Sequence, residues 1–231
     1  MAININNVYQ KVLALSNKEQ RGYITPQEFN YFSDQAQLDI FEGYFNDLAR
    51  FLRMQSNDTV YADKVDTVQE RIDFHEKFNR NISMSSNVGT LPTHYKLGKV
   101  YTTAGVEIQK ISTNELNHYT SNNLLKPTAT NPVFIKTSAT TIVVYPETIT
   151  SNVACNLIEK PATPNWTYVI INGKALYNSG AGDAQDFDLH DAEENNLVMR
   201  ILELSGITLK DPALTETALR DQAGDKAEKN N

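Results

Sequence analysis

The sequence predicts an α+β fold: an N-terminal helical hairpin, an antiparallel β unit resembling a barrel or sandwich, and C-terminal helices. Two changes of periodicity predict it. Apolar residues recur at helical spacing in the first third of the chain, alternate with polar residues after Pro92, and return to helical spacing after Leu189. The third observation is bulk: 231 residues, 40% hydrophobic and 21% charged, make a chain long enough to bury a core without disulfides or metals. The parts are expected at 1–90, 91–188 and 189–231, folded as a single compact subunit.

A first helix is expected over 7–16, where Val8, Val12 and Leu15 share a face. The second has the strongest start signal in the chain. In Thr25-Pro26-Gln27-Glu28, threonine caps, proline suits the first helical position, and glutamate three residues after the cap completes a capping box. Phe41, Tyr44, Phe45, Leu48 and Leu52 form its apolar stripe, with Phe29, Ala36 and Ile40 on an adjoining face. A third helix is expected over 62–78, with Val65, Val68, Ile72 and Phe78 turned inward. The Asn- and Ser-rich stretch 79–90 reads as a loop.

Strands are expected from Tyr95 to Val100, around Ile108, at 133–136 and 141–145 as a hairpin, and at 153–158, with a helical turn at 112–119. A loop is expected at 177–185. Leu197, Val198, Ile201, Leu202 and Leu204 then mark a helix that Gly206 is placed to end. Asp211-Pro212 restarts helix, as cap and first residue, with Leu214, Ala218 and Leu219 as a thin apolar stripe.

The net charge of -7 and the scattered Lys and Arg give no basic cluster, so sequence-specific nucleic-acid binding is not expected. The single cysteine, Cys155, cannot form an intrachain disulfide and reads as a small buried hydrophobe in a cytosolically folded protein. The N-terminus lacks the pattern of a signal peptide, and no apolar run is long enough to span a membrane.

A search for chemistry yields no catalytic, cofactor-binding or metal residues. His75, His94, His118 and His190 do not pair at metal-ligand spacing. His75, between Asp73 and Glu76, reads as part of a solvated helix face, and His190 as a capping or packing residue. Gly180-Ala181-Gly182 lacks the Gly-Lys-Ser/Thr ending of a phosphate loop. Six carboxylates between Asp183 and Glu194 lack calcium-loop spacing, and several fall where a helix dipole favours them.

Several stretches together resemble a known family. They are Asn6–Asn30, beginning Asn-Asn-Val-Tyr-Gln-Lys-Val-Leu, and its continuation Gln35-Ala36-Gln37; then Leu91-Pro92, Asn131-Pro132-Val133-Phe134, Ile142-Val143-Val144-Tyr145-Pro146 and Pro161; and finally Leu197 to Ile207 with Lys210-Asp211-Pro212. This order is similar to virion structural proteins of podophages, including marine and crAss-like phages, and to their head–tail adaptor and tail-tubular proteins. The resemblance implies a non-enzymatic subunit of the virion neck or tail, assembled in the host cytoplasm. It implies a homo-oligomeric ring, usually twelvefold, beneath the portal protein and above tail or further ring proteins, with DNA passing through without specific binding and no membrane partner. Other readings remain open: another ring, a tail-tube or capsid accessory component, or a cellular binding module.

Such adaptors dock onto the portal through a C-terminal helix or tail. The matching residues here are Asp211, Pro212, Leu214, Ala218 and Leu219. Their small apolar stripe would bury roughly 200–300 Å², or about 5–8 kcal/mol. Ordering the segment costs more than that, so a partner is expected to supply the remaining contacts. A DNA-facing surface of net negative charge is also expected, since phosphate would otherwise adhere.

Overall fold

The computed structural model describes residues 2–18, 24–53 and 59–208. The fold is α+β, and the chain divides into two compact units: Met1–Phe74 with Pro161–Asn231, and His75–Lys160. This division moves the expected boundaries of 1–90, 91–188 and 189–231. The β unit begins earlier and ends earlier, and the chain returns from it to the helical unit at Pro161.

The helical unit contains α1 (Ile5–Lys18), α2 (Pro26–Arg53), α3 (Thr59–Asp73) and α5 (Glu194–Thr208), plus a two-stranded hairpin of β9 (Tyr168–Ile171) and β10 (Lys174–Tyr177). The capping box forms as expected: Thr25 N–H donates to Glu28 Oε2 at 2.9 Å, and Glu28 N–H donates to Thr25 Oγ1 at 3.3 Å. The 28-residue α2 packs against both α3 and α5. Its buried face is Phe29, Ser33, Ala36, Gln37, Ile40, Phe41, Tyr44 and Phe51, so the adjoining face dominates the expected stripe and Leu52 lies exposed.

Two amides explain how a helix can bury polar residues. Gln37 Nε2 donates to Ala162 O at 2.8 Å, and its Oε1 accepts from Asp188 N–H at 2.9 Å. Asn30 grips the start of the returning chain, accepting from Trp166 N–H at 2.9 Å and donating to Asn165 Oδ1 at 3.0 Å. Irregular backbone has no ladder to satisfy it, so buried side chains supply the partners.

The second unit is a small, nearly closed barrel. Its strands are β1 (Glu76–Asn81), β2 (Ser83–Ser85), β3 (Val88–Thr90), β4 (Lys96–Thr102), β5 (Glu107–Lys110), β6 (Val133–Lys136), β7 (Thr141–Tyr145) and β8 (Val153–Ile158), in spatial order β1-β8-β4-β5-β6-β7-β3-β2. All pairs are antiparallel except β5 with β6. The two ends of that order, β1 and β2, are consecutive parts of one run, separated by Ile82, whose N–H donates to Val153 O at 2.9 Å. One length of chain therefore pairs on both sides and closes the sheet, which removes most of its exposed edge.

Residues 79–90 are thus strands where a loop was expected, and α3 stops at Asp73 instead of reaching Phe78. β1 is exposed at every position, so it carries no apolar alternation to betray it. Phe78 is 74% exposed on that strand and does not face inward. His75 is 2% exposed, against the solvated face expected for it, and its carbonyl accepts from Glu159 N–H at 3.0 Å. The hairpin of β6 and β7 and the strand β8 match their expected limits.

The barrel interior is Ile82, Leu91, Val100, Ile108, Phe134, Ile142, Val144, Val153, Cys155 and Leu157. Cys155 sits fully inside as expected, and burial raises its thiol pKa. Gly89 is required, because a Cβ there would lie 2.7 Å from Ile82 Cγ2. Both neighbours of β8 bulge opposite Asn156: residues 78–79 of β1 and 98–99 of β4 each oppose that one position. Asn156 Oδ1 then accepts from Asn79 N–H at 3.3 Å and from the Tyr101 hydroxyl at 3.0 Å. Gly98 fits the bulge, since a Cβ would come within 3.0 Å of Asn156 O. A short helix, α4 (Leu116–Ser121), lays Leu116 and Tyr119 against Ile111, Val133 and Ile135.

In the helical unit, α5 runs through Gly206 to Thr208, so the expected stop is passed. Glycine permits the left-handed conformation without requiring it.

Candidate functional site

The expected docking residues Asp211, Pro212, Leu214, Ala218 and Leu219 lie outside the described residues. Among the described residues no group of three His, Cys, Asp or Glu side chains could hold a metal ion. Four of the six carboxylates of 183–194 are dispersed onto separate partners. Asp186 accepts from Ile5 N–H, Asp183 from Asn165, Glu193 pairs with Arg71, and Glu194 pairs with Lys11. His190 caps a short 3-10 turn (Asp191–Glu193), accepting from Ala192 N–H through Nδ1. Arg200 bridges Asp39 and Glu203, at 2.6 Å to each. Burial alone would lower the Arg200 pKa, but the hydrogen bonds to Asp39 and Glu203 hold it above its ordinary value. Burial has the opposite sign on the Tyr44 phenol and raises its pKa; nearby Glu193 adds to that and Arg71 opposes it. These contacts hold the helical unit together and leave no open reactive group among them.

Two surfaces stand out instead. The first is the β9–β10 hairpin. Its base is fixed by aromatic packing: Tyr168 and Tyr177 stack on buried Trp166, each with ring centroids at 5.7 Å, and Tyr9 approaches from α1 at 4.1 Å. Trp166 Nε1 donates to Asn6 Oδ1 at 3.2 Å. Beyond this base the hairpin is apolar and open to solvent, with Ile170 71% and Ile171 52% exposed, joined by Val169 and Leu176. Its turn is Asn172-Gly173, with φ of 50° and 74°. That dipeptide between two apolar runs is the strongest short-range hairpin signal, and it was legible in the sequence, although reading 177–185 as a loop stopped short of it.

The second surface is on the barrel. A pocket of about 430 Å³ is lined by His94, Lys96, Lys99, Lys110 and Lys136 above the apolar Leu97, Ile108 and Phe134, with Glu107 as its acidic residue. The sequence shows no basic cluster, yet the barrel brings four lysines to this pocket. Lys96 and Lys99 lie on β4, Lys110 on β5 and Lys136 on β6, which are neighbours in the sheet. Glu107 pairs with Lys99 at 3.1 Å. His94 Nδ1 lies 2.8 Å from Pro92 O and its Nε2 lies 3.2 Å from Lys136 Nζ. An ammonium only donates, so Nε2 accepts, and the ring proton sits on Nδ1 and donates to Pro92.

The same asymmetry holds for whole units. His75–Lys160 carries eight Lys and Arg against five Asp and Glu, a net of +3. The rest of the chain carries thirteen against twenty-three, a net of -10. The overall -7 conceals a basic barrel and a strongly acidic helical unit. Among the described residues no helix is long and apolar enough to cross a membrane. No protein-family model matches the chain, and no curated protein matches it.

Proposed function

We propose that this chain is a structural, non-enzymatic subunit of a tailed-bacteriophage virion: a head-to-tail adaptor that forms a homo-oligomeric ring beneath the portal, links capsid to tail and lines the DNA channel. The observation that carries a self-assembling role is the β9–β10 hairpin. Its base is locked by Trp166 and its tip presents Val169, Ile170 and Ile171 to solvent. A two-stranded hairpin is marginal alone, and exposed apolar surface of this kind suits contact with another protein. The sequence resemblance supplies the type of assembly, with the portal above and tail or further ring proteins below. In such a ring the helical unit supplies the negative charge that keeps passing DNA from adhering.

Purified full-length protein is expected to form rings by native mass spectrometry and negative-stain imaging, and to co-elute with the portal protein. Ile170→Asp with Ile171→Asp is expected to leave the circular dichroism unchanged and weaken the oligomer. A chain lacking residues 211–231 is expected to fold but lose the portal. A wild-type chain that stays monomeric at all concentrations, with and without portal, would rule out the adaptor reading.

A further inference from the structure

We propose that the lysine-lined pocket of the barrel is a carboxylate receptor whose ligand is the acidic face of α3 on a second copy of this chain. The proposal rests on the self-assembling role above and deepens it by naming a contact.

The exposed residues of α3 include Asp66, Glu70 and Asp73. At 100° per residue these positions fall within one narrow arc, while buried Val68 and Ile72 lie on the opposite side. The cations of α3 do not neutralise that face. Arg71 turns away to pair with Glu193 at 2.5 Å. Like charges four residues apart destabilise a helix by a few tenths of a kcal/mol, so a face of three carboxylates is a cost within one copy that an external cation can offset.

The dimensions agree. From Asp66 to Asp73 the helix rises about 10.5 Å. Lysines on three adjacent strands, β4, β5 and β6, span two inter-strand spacings, about 10 Å. Glu107 already engages Lys99 on the solvent side of β4 and β5, which leaves Lys110 and Lys136 as the pocket cations for an outside carboxylate. Lys110 and Lys136 lie on neighbouring strands on the side of Ile108 and Phe134, and His94 orients Lys136 by accepting from it. The units differ in sign, +3 against -10, so a barrel facing the helical unit of the next copy is attracted. Such a contact joins two different surfaces, and repeated contacts of that type form a ring when the rotation between copies closes.

The test uses charge reversal in the full-length protein, followed by analytical ultracentrifugation across a concentration series. Lys110→Glu with Lys136→Glu is expected to raise the concentration for half-assembly more than tenfold, since like-charge juxtaposition is strongly unfavourable. Asp66→Lys with Glu70→Lys is expected to do the same. Both pairs of reversals in one chain are expected to restore assembly, which a folding defect cannot do. Lys110→Gln with Lys136→Gln, checked by circular dichroism, serves if the Glu variant misfolds, and is expected to weaken assembly less. Assembly by wild type that is indifferent to the pocket variants would overturn this contact and leave the assembly role standing. So would failure of the combined reversal to restore it. A wild-type monomer would overturn both. Binding of an oligodeoxynucleotide that is lost with the pocket lysines, beside assembly indifferent to the α3 reversal, would assign the pocket to nucleic acid and overturn the proposal.

Discussion

The two units both bury an apolar core but differ in how many polar side chains they bury with it. In the helical unit the buried residues include the polar Ser16, Ser33, Gln37, Thr167, Glu193, Glu203 and Ser205, whereas His75–Lys160 buries one polar side chain, His75, beside its cluster of aliphatic and aromatic side chains and one cysteine. The difference follows from backbone bookkeeping. A closed sheet satisfies its own N–H and C=O groups, so its interior can be wholly apolar. The helical unit must also bind the returning chain on either side of the β9–β10 hairpin, where groups such as Ala162 O, Trp166 N–H and Asp188 N–H lie outside any ladder. Gln37 and Asn30 supply them.

Substitutions can sharpen that contrast. The largest effect is expected at the aromatic base of the hairpin. Trp166→Ala removes a fully buried ring with three aromatic neighbours and its Nε1 bond to Asn6, and should cost about 3–5 kcal/mol by denaturant unfolding. Gln37→Leu comes next. The side chain is nearly isosteric and apolar, yet it leaves Asp188 N–H and Ala162 O without their partner, at about 1–3 kcal/mol for each group left unsatisfied. If Leu were neutral here, the polar residues would not be what fixes the returning segment.

In the barrel the sensitive position is sterical. Gly89→Ala places a methyl 2.7 Å from Ile82 Cγ2 and 2.9 Å from Met84 Sδ, and should cost about 1–3 kcal/mol by overpacking. An Ala variant as stable as wild type would show that the barrel relaxes more freely than its close packing indicates.

The smallest effect concerns pH. The Thr25 hydroxyl, and then its backbone N–H, hold the Glu28 carboxyl below its ordinary value. A depressed folded pKa gives stability that is present above the unfolded value of about 4.5 and is lost as pH falls below it. Thermal melts of Glu28→Gln should therefore converge with wild type in acid and separate from it at neutral pH.

Legibility in the sequence followed range. The capping box of Thr25 and Glu28 and the limits of the β6–β7 hairpin rest on neighbours close in sequence, and they were readable. β1 was not, because its six positions are all exposed and its strand identity comes only from pairing with β8. His75 could not be placed either: its burial depends on where α3 ends, and Phe78 was mistaken for a continuation of the helix.

By itself the sequence determined the α+β class, the three-part order of helical, alternating and helical periodicity, and the total charge of -7. These depend on composition and on local spacing, which the chain carries wherever it goes. Only the tertiary structure decided that residues 76–85 pair at both ends to close a barrel, that the chain returns at Pro161 to the helical unit, and that the charge divides as +3 and -10. It also gathered Lys96, Lys99, Lys110 and Lys136 around one pocket. Strand order sets which distant residues become neighbours, and hydrogen bonds between strands far apart in sequence leave no mark on the spacing within either one.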